Sequence, residues 1–158
     1  MLSIRQADAR DASLLLTLIH EFAEFERLPV KVTREDLLRD GFGPQPKFHA
    51  LITEWNGTAI GYAMFFESYS SFDGCTAIYL EDVYVRSSHR GKGIGRAVIA
   101  HLAALAVKEN YSSVRWQVLD WNAPAIEFYR NLGAELLDDR KVFALRREAM
   151  LRMAENLR

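Results

Sequence analysis

From Val83 to Val98 the chain reads Val-Tyr-Val-Arg-Ser-Ser-His-Arg-Gly-Lys-Gly-Ile-Gly-Arg-Ala-Val, with glycines at 91, 93 and 95. This segment stands between a strand-like run, Thr76 to Val85, and a helical pattern marked by Val98, Leu102 and Leu105. The backbone must turn from strand into helix within a few residues, and glycine supplies the positive φ that such a turn needs. Amides at the start of the following helix then face outward, where the helix dipole adds positive potential and an anion is welcome. A Walker loop would end in Gly-Lys-Ser/Thr, and a dinucleotide fingerprint would need its own first strand and a later ribose-binding acid. Neither fits, because Lys92 lies inside the loop. Taken alone, the glycine pattern suits a tight turn as well as a phosphate cradle.

The surrounding chain predicts alternating strands and helices. Leu2 to Ala7 alternates like a first strand, and Asp8 to Asp11 caps a helix carrying Leu15, Leu18, Phe22 and Phe25. Thr33 and Asp36 form a capping arrangement for a short helix through Arg39, stopped by Gly41 and Gly43. Lys47 to Trp55 and Thr58 to Glu67 read as strands joined by Asn56-Gly57, a dipeptide that favours a tight hairpin turn. Thr76 to Val85 is a strand interrupted by the acidic pair Glu81-Asp82, and charges inside a strand need an explanation. Beyond the glycine loop, Ser113 to Leu119 reads as a strand, Pro124 to Leu132 as a helix ended by Gly133, and Glu135 to Leu137 and Lys141 to Leu145 as short strands. A final helix places Met150, Met153 and Leu157 on one face.

Composition narrows the function classes. With 158 residues and 49% hydrophobic content, the chain suits one α/β domain, 1–158. Twenty Lys plus Arg against 21 Asp plus Glu leave a net charge of -1, without the concentrated basic face that nucleic acid requires. Cys75 is the only cysteine, which excludes an internal disulfide and points to a reducing cytoplasm. The start of the chain lacks the pattern of a signal peptide, and no apolar stretch approaches the roughly 20 residues that span a bilayer. His20, His49, His89 and His101 show no metal-ligand spacing, so no metal is expected.

Two ordered segments carry a family resemblance. His89-Arg90-Gly91-Lys92-Gly93-Ile94-Gly95-Arg96, preceded by Val83-Tyr84-Val85, resembles the pyrophosphate-binding motif of the GNAT acetyltransferases, with Arg-x-x-Gly-x-Gly at Arg90, Gly93 and Gly95. Trp121-Asn122-Ala123-Pro124-Ala125-Ile126-Glu127-Phe128-Tyr129, ending in Leu132-Gly133-Ala134, resembles the second signature of that family. Over nearly the whole chain the similarity is to the spermidine/spermine branch, with its diamine and thialysine relatives; Glu35 to Gly43 and Tyr79-Leu80-Glu81-Asp82 add matching segments. The resemblance implies an α/β fold with a central mixed, mostly antiparallel twisted sheet flanked by helices. It also implies acetyl-CoA as acetyl donor, direct transfer in a ternary complex, a small-molecule amine as acceptor, and a homodimer.

Chemistry and resemblance together nominate residues. A primary alkylamine with pKa near 10.4 is about 99.9% protonated at neutral pH, so acetyl transfer needs a route for its proton. By resemblance Glu81 is that base, directly or through water, or it binds the amine without proton transfer. Tyr129 is the implied acid, whose phenol protonates or hydrogen-bonds the departing thiolate; periodicity alone would place it in the core. The amides of Val83 and Val85, with Tyr84 between them, are expected along the pantetheine chain. Arg90, Gly91, Lys92, Gly93, Ile94, Gly95 and Arg96 are expected at the pyrophosphate, and Asn122, Ala123, Pro124 and Ala125 also at the coenzyme. Asn122 equally suits an ordinary helix cap.

Glu26, Glu81 and Asp82 occupy positions resembling those that face cationic acceptors in the branch. The sequence departs from the branch at Ser70, where the animal polyamine enzyme has an acid, and at Arg140, which follows Asp138-Asp139 where relatives often carry Trp. Loss of an acid and gain of a guanidinium favour a shorter diamine or a carboxylate-bearing, lysine-like or thialysine-like acceptor over spermidine. Two further readings are an acetyl-CoA-binding regulatory module without turnover and an acetyltransferase for protein N-termini or lysines.

Overall fold

The computed structural model describes residues Met1 to Glu155. Its backbone gathers into two compact units, Met1–Gln117 and a second from Val118 onward. The first holds a five-stranded sheet in sequence order: β1 (Leu2–Gln6), β2 (His49–Trp55), β3 (Thr58–Ser70), β4 (Cys75–Val85) and β5 (Val114–Arg115). β1 through β4 pair antiparallel, and β5 joins β4 in parallel.

Local chemistry sets the early elements. Asp8 caps a 3₁₀ turn, Ala9–Asp11, through a reciprocal capping box with Asp11, and that turn leads into α1 (Ala12–Glu26). Arg5 of β1 clasps Asp11 at 2.8 Å, tying the sheet edge to the helix start. Thr33 and Asp36 form the expected capping box for α2 (Arg34–Phe42). That helix runs past Arg39 and through Gly41 to its C-cap at Gly43; glycine at 41 leaves room for the Phe48 ring, from which a Cβ would lie 2.4 Å. Asn56 and Gly57 both take positive φ, at 51° and 77°, and close the β2–β3 hairpin.

Each sheet face is covered by one side of the chain's helices. Leu15 and Leu18 of α1 and Leu37 of α2 pack with Ala50, Ile52, Tyr62 and Tyr84 on one face. On the other, Val98, Leu102 and Ala106 of α3 (Ile94–Lys108) pack with Leu51, Ala63, Phe65, Ile78 and Leu80. Simple alternation along β4 would put Ile78, Leu80 and Tyr84 on one face. Tyr84 instead lies on the opposite face, because the register slips: Met64 is opposite Asp82 while Phe65 is opposite Leu80, leaving Glu81 as the extra residue of a β-bulge.

β5 is shorter than the predicted Ser113–Leu119, and pairs with β4 only at Ile78 and Tyr79. β4 therefore continues from Leu80 to Val85 without a β5 partner.

The second unit contains α4 (Ala123–Asn131) and α5 (Arg147–Glu155). Gly133 has φ of 89° just beyond α4. The strands expected at 135–137 and 141–145 are irregular backbone. Val142 and Phe143 are 76% and 94% exposed, so the apolar run there has no ladder or core to join. Met150 and Met153 of α5 are also exposed, and Leu157 lies outside the described residues.

At Gly61 of β3 the backbone of β4 lies close: a Cβ there would lie 2.2 Å from the Tyr84 carbonyl oxygen. Gly61→Ala is expected to push the end of β4 away and lower stability by about 1–3 kcal/mol. Thermal unfolding reads this as a Tm several degrees lower; an unchanged Tm would show that β4 yields freely.

Candidate active site

The bulge and the unpartnered stretch of β4 coincide. Arg86 N–H donates to the Ile60 carbonyl at 2.8 Å, toward β3. Successive strand residues present their amides to opposite edges, so Val83 and Val85 direct theirs to the edge away from β3, where β5 supplies no partner. Their N–H groups can donate to a ligand's carbonyls, while the Val85 carbonyl on the same edge already accepts from Arg90 Nε at 2.8 Å. Tyr84 is a different case: its side chain is buried, with its hydroxyl 3.4 Å from Glu21 and its ring beside Phe22. Only its backbone faces the strand edges.

Beyond β4 the loop is held by side chains that the sequence pattern did not single out. Arg86 grips Glu21 of α1 with two hydrogen bonds, 2.7 and 2.8 Å, and donates a third to the Ala59 carbonyl at 2.8 Å. This guanidinium holds the Glu21 carboxyl below its ordinary range. Arg90 donates from Nε to the Val85 carbonyl at 2.8 Å and lies 4.4 Å from the centre of the Phe25 ring. Lys92 donates to the Ser88 carbonyl and sits 5.7 Å from the Trp55 ring centre.

Gly91 and Gly93 each have φ of 77°, and a Cβ on either would meet nothing within 4 Å. Conformation, not space, asks for glycine at both. Gly93 is the N-cap of α3 and brings no side-chain hydrogen bond to the helix start, where Gly95 and Arg96 form the first turn and buried Ile94 anchors it. Dipole, first-turn amides and nearby Arg90 and Lys92 make this end of the unit suited to a pyrophosphate.

On the α1 face the bulge turns Asp82 inward. The Tyr62 hydroxyl donates to Asp82 Oδ2 at 2.9 Å. Burial pushes the Asp82 carboxyl up to about 6; the Tyr62 hydrogen bond opposes the rise, while the charges of Glu81 and Glu26 add to it. Burial also raises the Glu26 carboxyl at the end of α1, and burial with the same three acids raises Tyr62. Glu81 itself is exposed. The three acids proposed to meet the acceptor thus share one electrostatic neighbourhood. Among the described residues, no Lys, Arg or His pairs with any of them. Such a neighbourhood suits a cation.

In the second unit, Asn122 caps α4, its Oδ1 accepting from Ala125 N–H at 3.3 Å, with Pro124 in the first turn. The Ala125 amide is therefore already engaged, whereas Ala123 and Pro124 are exposed. Tyr129 is half-buried, with its ring centre 5.3 Å from that of Phe128. Arg140 is 65% exposed and 3.6 Å from Asp139. Ser70 ends β3, its hydroxyl accepting from Asp73 N–H at 3.1 Å. Among the described residues no group of three His, Cys, Asp or Glu side chains is arranged to hold a metal ion, and no helix is long and apolar enough to cross a membrane.

Comparison with known proteins adds independent information. The model of the acetyltransferase (GNAT) family matches residues 15–134. The chain is 38% identical to the thialysine N-epsilon-acetyltransferase of Bos taurus, over 96% of each chain. Among solved structures, an integron cassette protein from the mobile metagenome of V. cholerae superposes with a TM-score of 0.82 at 22% identity, covering 98% of both chains. A structure of AAC(6')-Iy, complexed with the bisubstrate analogue CoA-S-monomethyl-acetylneamine, superposes with a TM-score of 0.75 at 19% identity, covering 93% of this chain and 99% of that one.

The Asp82 carboxyl makes a pH prediction. Because its value is raised in the folded state, from 3.8 to about 6, the folded chain is the better proton binder between those limits. Stability attributable to this group falls as pH rises through that window, and the penalty is complete above it. Asp82→Asn removes the charge and keeps an acceptor for Tyr62. It is expected to be more stable than the parent at pH 8 by on the order of 1–3 kcal/mol, with the gain vanishing by about pH 4. Denaturant unfolding at the two pH values checks this; a pH-independent gain would identify a different origin.

Proposed function

This chain belongs to the acetyltransferase (GNAT) family, and on that premise we propose that it transfers an acetyl group from acetyl-CoA to the primary amine of a small molecule, directly in a ternary complex. The observation that carries the proposal is the coincidence, on β4, of an open edge at Val83 and Val85 with a bulge that lifts Glu81 out of the ladder. A thioester-bearing chain laid along that edge meets the one carboxylate the strand does not use for pairing.

The donor side fits the residues present. The amides of Gly91 through Arg96, with Arg90 and Lys92, receive the pyrophosphate, and the Val83 and Val85 edge receives the pantetheine amides. Donors near the thioester oxygen would gain strength as negative charge grows on it. Asn122, Ala123, Pro124 and Ala125 add coenzyme contacts, Asn122 while still capping α4.

On the acceptor side, Glu26, Glu81 and Asp82 attract the ammonium form, and Glu81 either takes the proton or holds the amine while water carries it. Tyr129 donates to the departing thiolate. The acceptor is a diamine, a polyamine or a lysine-like amino acid, with thialysine supported by the activity named for the bovine relative. The whole chain, 1–158, acts as one acetyltransferase domain in the cytoplasm and works as a homodimer, for which the exposed Met150 and Met153 offer an apolar face.

Release of coenzyme A across a panel of small amines tests the reading. Glu81→Gln and Tyr129→Phe are each expected to lower turnover by about 10²- to 10⁴-fold, the usual weight of a general acid or base. Acetyl-CoA binding without turnover of any amine would favour a regulatory module instead. Within the panel, lysine and thialysine are expected to outpace spermidine in initial rate; a dominant rate for spermidine would overturn the carboxylate-bearing acceptor.

A further inference from the structure

Tyr62 is fully buried, at 0% exposure, and its ring packs edge-on to Phe22 and beside Tyr84 in the core under α1. Phenylalanine would satisfy that packing. The hydroxyl adds a polar group to an apolar core, at a cost unless it is paired. Its partner is Asp82 Oδ2, at 2.9 Å. The two residues lie diagonally across β3 and β4, Tyr62 opposite Tyr84 and Asp82 opposite Met64, so their side chains reach each other on the α1 face.

This pairing exists only because of the Glu81 bulge, which brings Asp82 to the same face as Tyr62. The groups facing Asp82 are Tyr62 from β3, Glu81 beside it in β4, and Glu26 from α1. All the charged ones are acids. Among the described residues the Tyr62 hydroxyl is the sole side-chain donor to Asp82, and none donates to Oδ1. A half-buried carboxylate among like charges is completed by a proton or by a bound cation.

We infer that Tyr62 is a positioning residue for the acceptor, its buried hydroxyl holding Asp82 by Oδ2 and leaving Oδ1 to receive the acceptor's ammonium group. The inference rests on the acetyl-transfer reading of the site for the identity of that cation. Tyr62 touches no reacting atom. Its influence passes through Asp82, by fixing the carboxylate's orientation and favouring the ionised form that attracts an amine.

The test is Tyr62→Phe, which keeps the ring and removes only the hydroxyl. Two readouts are followed: the pH titration of the Asp82 carboxyl carbon by NMR, and the affinities of putrescine, spermidine, lysine and thialysine measured by calorimetry in the presence of coenzyme A. The variant is expected to move the Asp82 titration upward by about one pH unit and to weaken the bound amine about tenfold at pH 8, the scale of one hydrogen bond to a charged group. Affinity for coenzyme A should stay unchanged. Tyr62→Phe combined with Asp82→Asn should bind amine no more weakly than Asp82→Asn alone.

Incorporating 3-fluorotyrosine at position 62 keeps the hydroxyl and makes it a stronger donor. It should shift the titration the other way, and it supplies the test if Tyr62→Phe fails to fold. An unmoved titration, an unchanged amine affinity, or additive losses in the double variant overturns the inference. Weaker amine binding in Tyr62→Phe with no acetylation by the parent would uphold Tyr62 and sink acetyl transfer. Acetylation by the parent with no response to the Tyr62 variants would do the reverse.

Discussion

The β-bulge at Glu81 is the constraint from which the site follows. A strand has a side-chain period of two, so inserting one residue exchanges its faces from that point onward. Before the bulge, Ile78 and Leu80 serve the core beneath α3; after it, Val83 does so, while Asp82 and Tyr84 turn toward α1. Without the extra residue, Asp82 would face the apolar packing of Val98 and Leu102, where a carboxylate finds neither a donor nor a cation. The same irregularity falls at the part of β4 that has left β5 behind. Glu81 gives up a place in the ladder and becomes an exposed carboxylate beside an open strand edge.

That edge stays usable only if the backbone after it is held still, and arginine geometry accomplishes this. Arg86 presents a planar fork to Glu21 and a third donor to the Ala59 carbonyl, binding the end of β4 to both α1 and β3. Four residues later Arg90 returns to the Val85 carbonyl and rests on Phe25 of α1. The glycine loop is thereby suspended between two fixed points. Its left-handed glycines turn the chain into α3 without any side chain crowding the helix start. An anion arriving there meets amides already oriented, so little ordering remains to oppose binding.

Much of this was legible in the residues, for identifiable reasons. Capping boxes at Asp8–Asp11 and Thr33–Asp36, the Asn56-Gly57 turn and the glycine loop are local devices, and each is found where its chemistry requires. Family resemblance is confirmed by the match over residues 15–134. The strand expected at 141–145 is a short apolar run that finds no partner, since a strand is a property of a ladder and not of one segment. Of the two glycines expected to stop α2, Gly43 does so, while Gly41 stays within the helix and makes room for Phe48, a tertiary matter invisible to local reading. The acidic pair inside β4 was visible as an anomaly, but periodicity cannot distinguish a bulge from two misplaced charges. Tyr62 was missed for the opposite reason: an aromatic residue in an alternating strand looks like core, and it is core, with one polar atom that is not.

The acidic neighbourhood around Asp82 works against stability, since burial and the nearby charges of Glu81 and Glu26 all disfavour the ionised carboxylate. A protein selected for stability alone would place an amide or an apolar side chain there, or bring one of its 20 Lys and Arg residues to the site. Arginines are in fact placed against acids elsewhere, as at Arg86–Glu21 and Arg5–Asp11, where they secure the framework. Among the described residues none is paired with Glu26, Glu81 or Asp82, so these three acids, unlike Glu21 and Asp11, have no cationic side chain to offset their charge. A cationic amine entering this neighbourhood relieves the repulsion among the three carboxylates as it binds, so part of its affinity comes from strain already present in the free protein. A neutral amine would relieve none of it. A primary alkylamine is mostly protonated at neutral pH, so the form that dominates in solution is the one this acidic neighbourhood favours.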